Sequence, residues 1–367
     1  MAMNDSHAPI DSLKVDAYTI PTEAPESDGT LEWDSTTLIL VEVHGGGEKG
    51  IGYGYSDTAA ARLIHDKLAS LVEGRDALNN SSCWWAMVDA IRNLGRPGLC
   101  SMAIAAVDNA LWDLKAKLLG LPLVRLLGQV REAVPVYGSG GFTSYDITQL
   151  QDQLGAWAAA GMSFVKMKIG REPENDLERV RAARTVLEAG TELFVDANGA
   201  YTRKQALAMA EEFTHYGVTW YEEPVSSDDL EGLRLIRDRA PAAMAVSAGE
   251  YGFDLTYFHR LLEAGAVDVL QADSTRCAGI SGYLSVGALC QAYHVPLSSH
   301  TAPTVHLHPN CALRPVMHLE YFHDHVRIEQ LLFDGASQAQ AGHLAPDLSR
   351  PGLGVDFKRQ DAERYAV

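Results

Sequence analysis

The chain has 367 residues, of which 47% are hydrophobic and 21% are charged, and these proportions are typical of a folded, water-soluble protein of about two domains. Its 30 Lys and Arg residues against 48 Asp and Glu residues give a formal net charge of −18. A surface this acidic argues against binding to nucleic acid or to an anionic membrane, because both need a positively charged contact surface.

Cysteine content and terminal sequence indicate the compartment. The five cysteines are odd in number and include no C-x-x-C pair, which disfavours a disulfide framework and a zinc ribbon. The stretch 1–9 is polar and lacks the apolar segment of a signal peptide. The longest apolar runs, such as 86–91, are too short to span a bilayer. We therefore expect a reduced, cytoplasmic protein.

The first third of the chain shows two hydrophobic patterns, one after the other. Residues 12–60 contain alternating apolar stretches broken by glycine-rich turns, which predicts antiparallel strands. From 60 to 128 the periodicity is helical, with Ile64, Leu68 and Leu71 on one face, and 101–115 is predicted to be an amphipathic helix. Strands followed by helices are typical of an α+β domain, which we place at 1–130.

Beyond residue 130, short apolar strands alternate with helical stretches. A continuous β-α series implies a parallel sheet, and eight strands in one series favour a closed barrel over an open doubly wound sheet. The predicted strands are 134–137, 164–169, 192–196, 219–222, 245–248, 267–272, 295–298 and 316–320. We assign 131–335 to this barrel and 336–367 to a loop-rich tail that packs back on the first domain.

Ionisable side chains occur at the ends of seven predicted strands. In a barrel of this kind the carboxyl ends of the strands form one mouth, where the chemistry takes place. These residues are Lys166 and Lys168 on the second strand, followed by Asp196, Glu222, Glu250, Asp273, His300 and Glu320 at the ends of strands three to eight. Each step along the series spans about one β-α unit, so we expect all of them at one mouth.

Three of these residues predict a metal site. Asp196, Glu222 and Glu250 follow neighbouring strands, and crowded carboxylates need a cation to stay ionised. Oxygen ligands without paired Cys or His favour Mg²⁺ completed by water and substrate. We predict one Mg²⁺ per subunit, with Asn198 as a nearby substrate contact.

The other strand-end residues suggest acid–base chemistry. Strand alternation places Lys166 and Lys168 together in the barrel interior, where mutual repulsion and burial are expected to lower their pKa until one serves as a general base. Asp273 can hydrogen-bond His300, fix its tautomer and raise its basicity. Glu320, near other carboxylates, is expected to have a raised pKa and to donate a proton or hydrogen bond to a substrate oxygen.

The ordered set resembles the mandelate racemase-like branch of the enolase superfamily (the mandelate racemase/muconate lactonizing enzyme family). The resemblance covers essentially the whole chain. The matching segments are Lys166-x-Lys168, Asp196-x-Asn198, Glu222-Glu-Pro, Gly-Glu250, Asp273, Ser-Ser-His300, the helix Ala-Val-Asp108-Asn-Ala-Leu-Trp-Asp113-Leu-Lys and the C-terminal Pro351-Gly-Leu-Gly-Val.

This resemblance implies a fold and a site. The implied fold is an α+β capping domain over a (β/α)7β barrel, and the implied assembly is a dimer or an octamer. The resemblance also implies Mg²⁺ on the three acidic residues, with Lys168 and the His300–Asp273 pair on opposite faces of the substrate. Ser139 and Glu320 fall where this branch places carboxylate-contacting and electrophilic groups.

The chemistry implied is removal of the proton α to a carboxylate, and three outcomes stay open. Our first choice is loss of water from a sugar acid, an aldonate or aldarate, to give a 2-keto-3-deoxy acid. The alternatives are racemisation or epimerisation of a 2-hydroxy acid, and cycloisomerisation of an anhydro-sugar acid or sugar lactone with the same two bases. Which of Lys168 and His300 abstracts the proton also stays open.

Substrate contacts are less well defined by the sequence. Trp33, Asp34 and Arg276 are candidate hydroxyl contacts. We expect residues 18–36 and the loop 92–98 to set substrate choice, because loops carry variable function on a rigid scaffold. The segment 22–30 is predicted to be either a lid or a plain turn.

Other functional classes fit the sequence less well. Gly50-Ile-Gly-Tyr-Gly54 and Gly138-Ser-Gly-Gly141 do not match the G-x-G-x-x-G fingerprint of dinucleotide binding, so we interpret both as turns. The pairs His306-x-His308 and His323-x-His325 raise the possibility of a zinc hydrolase, but structural or surface roles are favoured. A non-catalytic barrel is expected to lose one polar strand end, and none is missing.

Overall fold

The computed structural model describes residues 7–367, so most of the stretch 1–9, on which the signal-peptide prediction rests, lies outside the described residues. The chain begins with a three-stranded antiparallel sheet, as the alternation at 12–60 predicts. Its strands are β1 (Ile10–Ser27), β2 (Glu32–Gly45) and β3 (Glu48–Tyr55).

Helices follow the sheet along the chain. They are α1 (Thr58–Leu63), a π-helical turn (Ile64–Leu68), α2 (Ala69–Val72), α3 (Asn80–Ala90), α4 (Leu99–Leu118) and α5 (Leu123–Leu127). Of these, α4 packs across the sheet. Ile64 and Leu68 are fully buried as predicted, but Val72 rather than Leu71 is the next fully buried residue. The π-helical turn widens the spacing, which shifts the buried face by one residue.

The predicted amphipathic helix is α4, and the prediction of its amphipathicity was wrong. Fourteen of its twenty residues are buried, because it lies between β3 and the barrel helices. The glycine segment 50–54 belongs to β3 and is not a turn. A Cβ atom on Gly52 would lie 2.2 Å from the backbone nitrogen of Ala110, so these glycines let α4 approach the sheet closely.

Eight parallel strands form a closed (β/α)7β barrel, since the last strand pairs with the first. The strands are β4 (Val134–Gly140), β5 (Phe164–Lys168), β6 (Glu192–Asp196), β7 (Val218–Glu222), β8 (Ala245–Ala248), β9 (Val269–Ala272), β10 (Leu297–Ser299) and β11 (Val316–Phe322). The helices between them are α6 (Ile147–Ala159), α7 (Pro173–Thr185), α8 (Arg203–Thr214), α9 (Leu230–Arg239), α10 (Leu255–Glu263), α11 (Gly279–Tyr293) and α12 (Pro303–Ala312). The segment 138–141 completes β4 and its end, so it too was wrongly predicted as a turn.

The C-terminal segment contacts both parts of the chain, since residues 343–344 pair with the barrel strand β4 and Leu353 bonds to α4. It follows α13 (His323–Leu332) and contains β12 (Phe333–Asp334), β13 (His343–Leu344), β14 (Asp356–Phe357), α14 (Arg359–Ala362) and a 3-10 turn (Glu363–Tyr365). The buried Asp113 carboxylate of α4 accepts hydrogen bonds from the backbone N–H of Ile51 and of Leu353, both at 2.7 Å. One side chain thus joins a strand of the first sheet, the central helix and the tail.

A second acidic residue of α4 reaches the barrel. Asp108 is fully buried and accepts hydrogen bonds from the backbone N–H and hydroxyl of Ser281 at the start of α11, both at 2.8 Å. Its neighbour Asn109 accepts from the backbone N–H of Ile280 at 3.0 Å. Among residues 7–367, none of the helices combines the length and apolarity needed to cross a membrane.

Candidate active site

Strand register brings three ionisable residues into one row at the barrel mouth. Lys168 on β5 is paired in register with Asp196 on β6, and Asp196 is paired with Glu222 on β7. Glu250 lies two residues beyond the end of β8, after Gly249, whose φ of 136° is open only to glycine. One oxygen each from Asp196, Glu222 and Glu250 lies within 4.8 Å of the others.

These three carboxylates fit a magnesium ion. All are buried, and in the described part of the chain Oε2 of Glu250 has no hydrogen-bond partner. Burial, together with the nearby Asp196, raises the pKa of Glu222 well above its ordinary value. A cation beside Glu222 would favour its ionised form, and an all-oxygen donor set of three carboxylates suits Mg²⁺.

Both lysines point into the interior as predicted, but their pKa values move in the direction opposite to our expectation. Burial alone lowers the pKa of Lys168, yet Asp196 Oδ2 at 2.5 Å outweighs it and the net shift is upward. The pKa of Lys166 is likewise raised, because Glu222 Oε1 at 2.5 Å and Glu320 Oε1 at 2.8 Å offset its burial. The repulsion expected between the two lysines is outweighed by the carboxylates paired with each one.

His300 and Asp273 form a hydrogen-bonded pair, as expected. His300 Nδ1 lies 2.9 Å from Asp273 Oδ2. Asp273 is held as an anion: burial opposes ionisation, but His300 and His306 lower its pKa well below the usual range. An anionic partner at Nδ1 fixes the proton there, which leaves Nε2 of His300 facing the acidic cluster, 3.4 Å from Glu250 Oε2.

Glu320 is an ion-pair partner, and the prediction of a raised pKa was wrong. Burial favours its protonated form, but the ammonium group of Lys166 lowers the pKa of Glu320 well below the usual range. Ser139 is fully buried and donates to Glu320 Oε1 at 2.6 Å. Ser139 does not line the cavity described below, so its observed contact is with Glu320.

A cavity of about 320 Å³ lies over this cluster. Lys168, Glu250, His300 and Glu320 line its floor together with two predicted substrate contacts, Asn198 and Arg276. The capping sheet supplies much of the remaining wall. Those residues are Asp28, Leu31, Trp33, Ser35, Thr36, Thr37, Tyr55 and Ser56.

The backbone at the mouth adopts unusual conformations. Asn198, Glu223, Thr301 and Ala302 all have positive φ angles, between 37° and 48°. Positive φ in residues other than glycine is strained and is concentrated at functional sites. Together, the acidic cluster, the side chains of Lys168 and His300 and the cavity above them identify this mouth as the candidate active site.

Two family models match the chain. The N-terminal domain of mandelate racemase / muconate lactonizing enzyme matches residues 19–128, and the enolase C-terminal domain-like family matches residues 149–362. The second match alone covers more than half of the chain. The chain belongs to the mandelate racemase/muconate lactonizing enzyme family.

Members of this family resemble the chain over nearly its full length. A mandelate racemase/muconate lactonizing enzyme-like protein from Rubrobacter xylanophilus is 57% identical, with a TM-score of 0.96 over 98% of this chain and 100% of that one. The 3,6-anhydro-alpha-L-galactonate cycloisomerase of Streptomyces coelicolor is 31% identical over 95% of this chain and 98% of its own length.

A third member is a dehydratase. The L-talarate/galactarate dehydratase of Salmonella typhimurium is 30% identical over 96% of this chain and 89% of its own length. One crystal structure of that enzyme, at a TM-score of 0.91 and 27% identity over 100% of this chain and 95% of that one, contains Mg and L-lyxarohydroxamate.

Within this family member, some predicted specificity residues lie away from the cavity. Trp33 lines it and donates from Nε1 to Glu26 Oε2 at 3.0 Å. Asp34 is exposed and does not line it. The loop 92–98 also does not line the cavity; Arg96 lies beside Trp84 at a separate pocket between α3 and α11. The position of that loop depends on how α3 and α4 pack, which loop composition does not reveal.

The hairpin tip between β1 and β2 is docked on the barrel. Thr143, after β4, donates its backbone N–H to Ser27 O and its hydroxyl to Asp28 O, both at 2.8 Å. A Cβ atom on Gly29 would lie 2.4 Å from Ala197 O and 2.7 Å from Ile169 O. The tip therefore sits against the backbone next to Asp196 and Lys168. Residues 22–27 belong to β1, so the segment 22–30 is not a plain turn, and Asp28 lines the cavity.

The two histidine pairs have different roles. His306 and His308 are buried and hydrogen-bonded: His306 accepts from the backbone N–H of Ser274 at 2.7 Å and His308 from that of Val124 at 3.0 Å. These contacts agree with the structural role predicted for them. His325 instead lines the cavity, and no feature of its local sequence indicates this position.

Proposed function

We propose that this enzyme removes the proton α to the carboxylate of a sugar acid, an aldonate or aldarate, and then eliminates the β-hydroxyl as water to give a 2-keto-3-deoxy acid. The observation that carries the proposal is the placement of two nitrogen bases, Lys168 and His300, on one cavity beside three clustered carboxylates. The dehydratase and cycloisomerase relatives support the same substrate class.

Asp196, Glu222 and Glu250 would hold the ion, and bound Mg²⁺ supplies Lewis-acid stabilisation of charge on the substrate carboxylate. Lys166 keeps its ammonium group within 2.8 Å of Glu320 and adds a fixed positive charge to the site. Asn198 and Arg276 line the cavity and can hydrogen-bond the substrate.

The two bases divide the proton transfers. Burial lowers the pKa of Lys168, but Asp196 outweighs it and keeps the ammonium group protonated, so His300 accepts the α-proton and the C–H electron pair becomes the carbon–carbon double bond of the enediolate. Lys168 donates a proton to the β-hydroxyl, so the C–O bond breaks and water leaves. The resulting enol takes up a proton at C3, loses its O–H proton and becomes the 2-keto acid. Asp273 holds His300 with Nε2 facing the acidic cluster throughout.

The test is a panel of aldonates and aldarates, with 2-keto acids detected by semicarbazide. Lys168→Ala and His300→Asn should each lower dehydration by about 10²- to 10⁴-fold, the usual contribution of a general acid or base. Lys204→Ala, at an exposed position on α8, is the matched control and should keep full activity. Full activity in both base variants would refute the scheme.

Cycloisomerisation is a second candidate, because the Streptomyces coelicolor relative of this name matches almost the whole chain. Its product would be an isomer of the substrate, whereas dehydration gives a product lighter by one water. Mass spectrometry separates the two. Exchange of the α-proton in D₂O without a 2-keto acid would point to racemisation.

Assembly as a dimer or octamer and a cytoplasmic location stay predictions.

A further inference from the structure

His325 is a cavity residue that the proposed chemistry does not use. It lies near the start of α13, is 8% exposed, and lines the same cavity as His300 and Glu320. Its imidazole is not free to rotate. The ring stacks on Tyr55, with centroids 3.4 Å apart and planes inclined by 14°, and Phe322 meets it edge-on at 5.0 Å.

The hydrogen-bond pattern fixes the tautomer of this ring. The backbone N–H of Ala302 donates to His325 Nδ1 at 3.3 Å. A backbone N–H can only donate, so Nδ1 must be unprotonated. Burial, and next the nearby His300, lower the pKa of His325 well below its ordinary value. The ring is therefore neutral at physiological pH and carries its hydrogen on Nε2.

That Nε2–H group is available to a ligand. Within residues 7–367 it has no hydrogen-bond acceptor, and it is not among the side-chain atoms sealed from solvent without a partner. A clamped neutral N–H donor can bind an uncharged acceptor, such as a hydroxyl oxygen, without adding a charge to the cavity wall. The cationic groups on the cavity, Lys168 and Arg276, suit a carboxylate, whereas a neutral imidazole suits a hydroxyl.

We propose that His325 binds a substrate hydroxyl through Nε2–H and thereby selects polyhydroxy acids over acids that lack that hydroxyl. The inference rests on the proposed function, since it assigns one contact within the sugar-acid chain. His325 is a specificity residue in this scheme and takes no part in proton transfer.

The test compares His325→Phe and His325→Gln on an active sugar acid and on its single-deoxy analogues. Phenylalanine keeps a flat ring against Tyr55 but has no N–H, so kcat/KM on the parent acid should fall about tenfold, as expected for one neutral hydrogen bond. On the analogue that lacks the bound hydroxyl, His325→Phe and the wild-type enzyme should have the same kcat/KM. Glutamine restores a donor and should recover part of the loss. The pH profile should not move, because the ring stays neutral.

Two further measurements separate the possible failures. Tyr55→Leu removes the stacking partner and leaves the imidazole, so it should give a smaller loss with the same substrate pattern, and it keeps the inference testable if His325→Phe does not fold. The Mg²⁺-induced rise in thermal midpoint should be unchanged in each folded variant. An equal loss on every substrate, or no loss in an otherwise active enzyme, overturns this inference alone. Absence of any reaction of the wild-type enzyme with sugar acids overturns the proposed function and this inference together.

Discussion

The indole Nε1 of Trp220 donates a hydrogen bond to Oε2 of Glu222 at 2.9 Å from below the barrel mouth. Trp220 belongs to a buried aromatic layer with Tyr137 and Phe194. Groups that hydrogen-bond a metal ligand orient it and tune its charge, so this layer also sets the position of the carboxylate.

Trp220→Phe should weaken Mg²⁺ binding by about 10- to 100-fold, because Glu222 loses the donor that orients it. Isothermal titration with MgCl₂ measures this directly. Phe164→Leu is the control, because Phe164 packs against the same layer but is not hydrogen-bonded to Glu222. The Mg²⁺ affinity of this variant should stay near that of the wild type. Equal affinities for Trp220→Phe and the wild type would contradict an orienting role.

Mg²⁺ should stabilise the fold, since it relieves repulsion among three buried carboxylates. At a concentration 100 times the Kd, the expected gain is about 2.7 kcal/mol, seen as a rise in thermal midpoint. Glu250→Gln should abolish most of that rise, because the unpartnered Oε2 of Glu250 is an available ligand atom. An undiminished rise in the variant would place the ion elsewhere.

Gly29→Ala should displace the β1–β2 tip from the barrel, because its Cβ atom would overlap the carbonyl oxygens of Ala197 and Ile169. We expect kcat/KM to fall at least about tenfold, since small misplacements near reacting groups are costly. Gly190→Ala, where a Cβ atom has nothing within 4 Å, should be silent. Steady-state kinetics on the same substrate compare the two, and wild-type kinetics in Gly29→Ala would rule out a role for tip docking.

Glu26 should make stability depend on pH. Burial, and next Asp324, raise the pKa of Glu26 to about 8, so the folded state holds a proton that the unfolded state releases near pH 4 to 5. The contribution of this group to the free energy of unfolding therefore falls as the pH rises from about 4.5 to about 8. Glu26→Gln keeps an acceptor for Trp33 and removes the ionisation. The thermal midpoint of this variant should therefore rise relative to that of the wild type as the pH is raised from 5 to 9. The exposed Glu211→Gln should show no such trend.

Gly52→Ala tests the packing of α4 on β3. A Cβ atom there would lie 2.2 Å from Ala110 N and 2.4 Å from Ala106 O, so the helix must shift. We expect a loss of about 1–3 kcal/mol, the usual range for overpacking, measured by urea denaturation. Gly54 is on the same strand, and a Cβ atom there would lie 3.3 Å from Cβ of Thr275. Gly54→Ala should therefore lose less stability. Similar losses at both positions would argue against steric overlap as the cause.

Several features of this protein were determined by its sequence alone. The periodicity change near residue 130 and the spacing of Lys168, Asp196, Glu222 and Glu250 predicted the barrel and the clustering of these groups. This works because each β-α unit returns the chain to the same mouth. The pairing of His300 with Asp273 followed from the same rule, since their strands are adjacent.

Only the tertiary structure decided which charges pair and what lines the cavity. The raised pKa of Lys166 and Lys168, the ionised state of Glu320 and the contact of Ser139 all depend on distances between residues far apart in the chain. The burial of α4, the docked tip at Gly29 and the placement of His325 depend on how the capping sheet meets the barrel. Periodicity reports which face of an element is buried, but the partner across the interface is set by packing between elements, and electrostatic energies vary steeply with those separations.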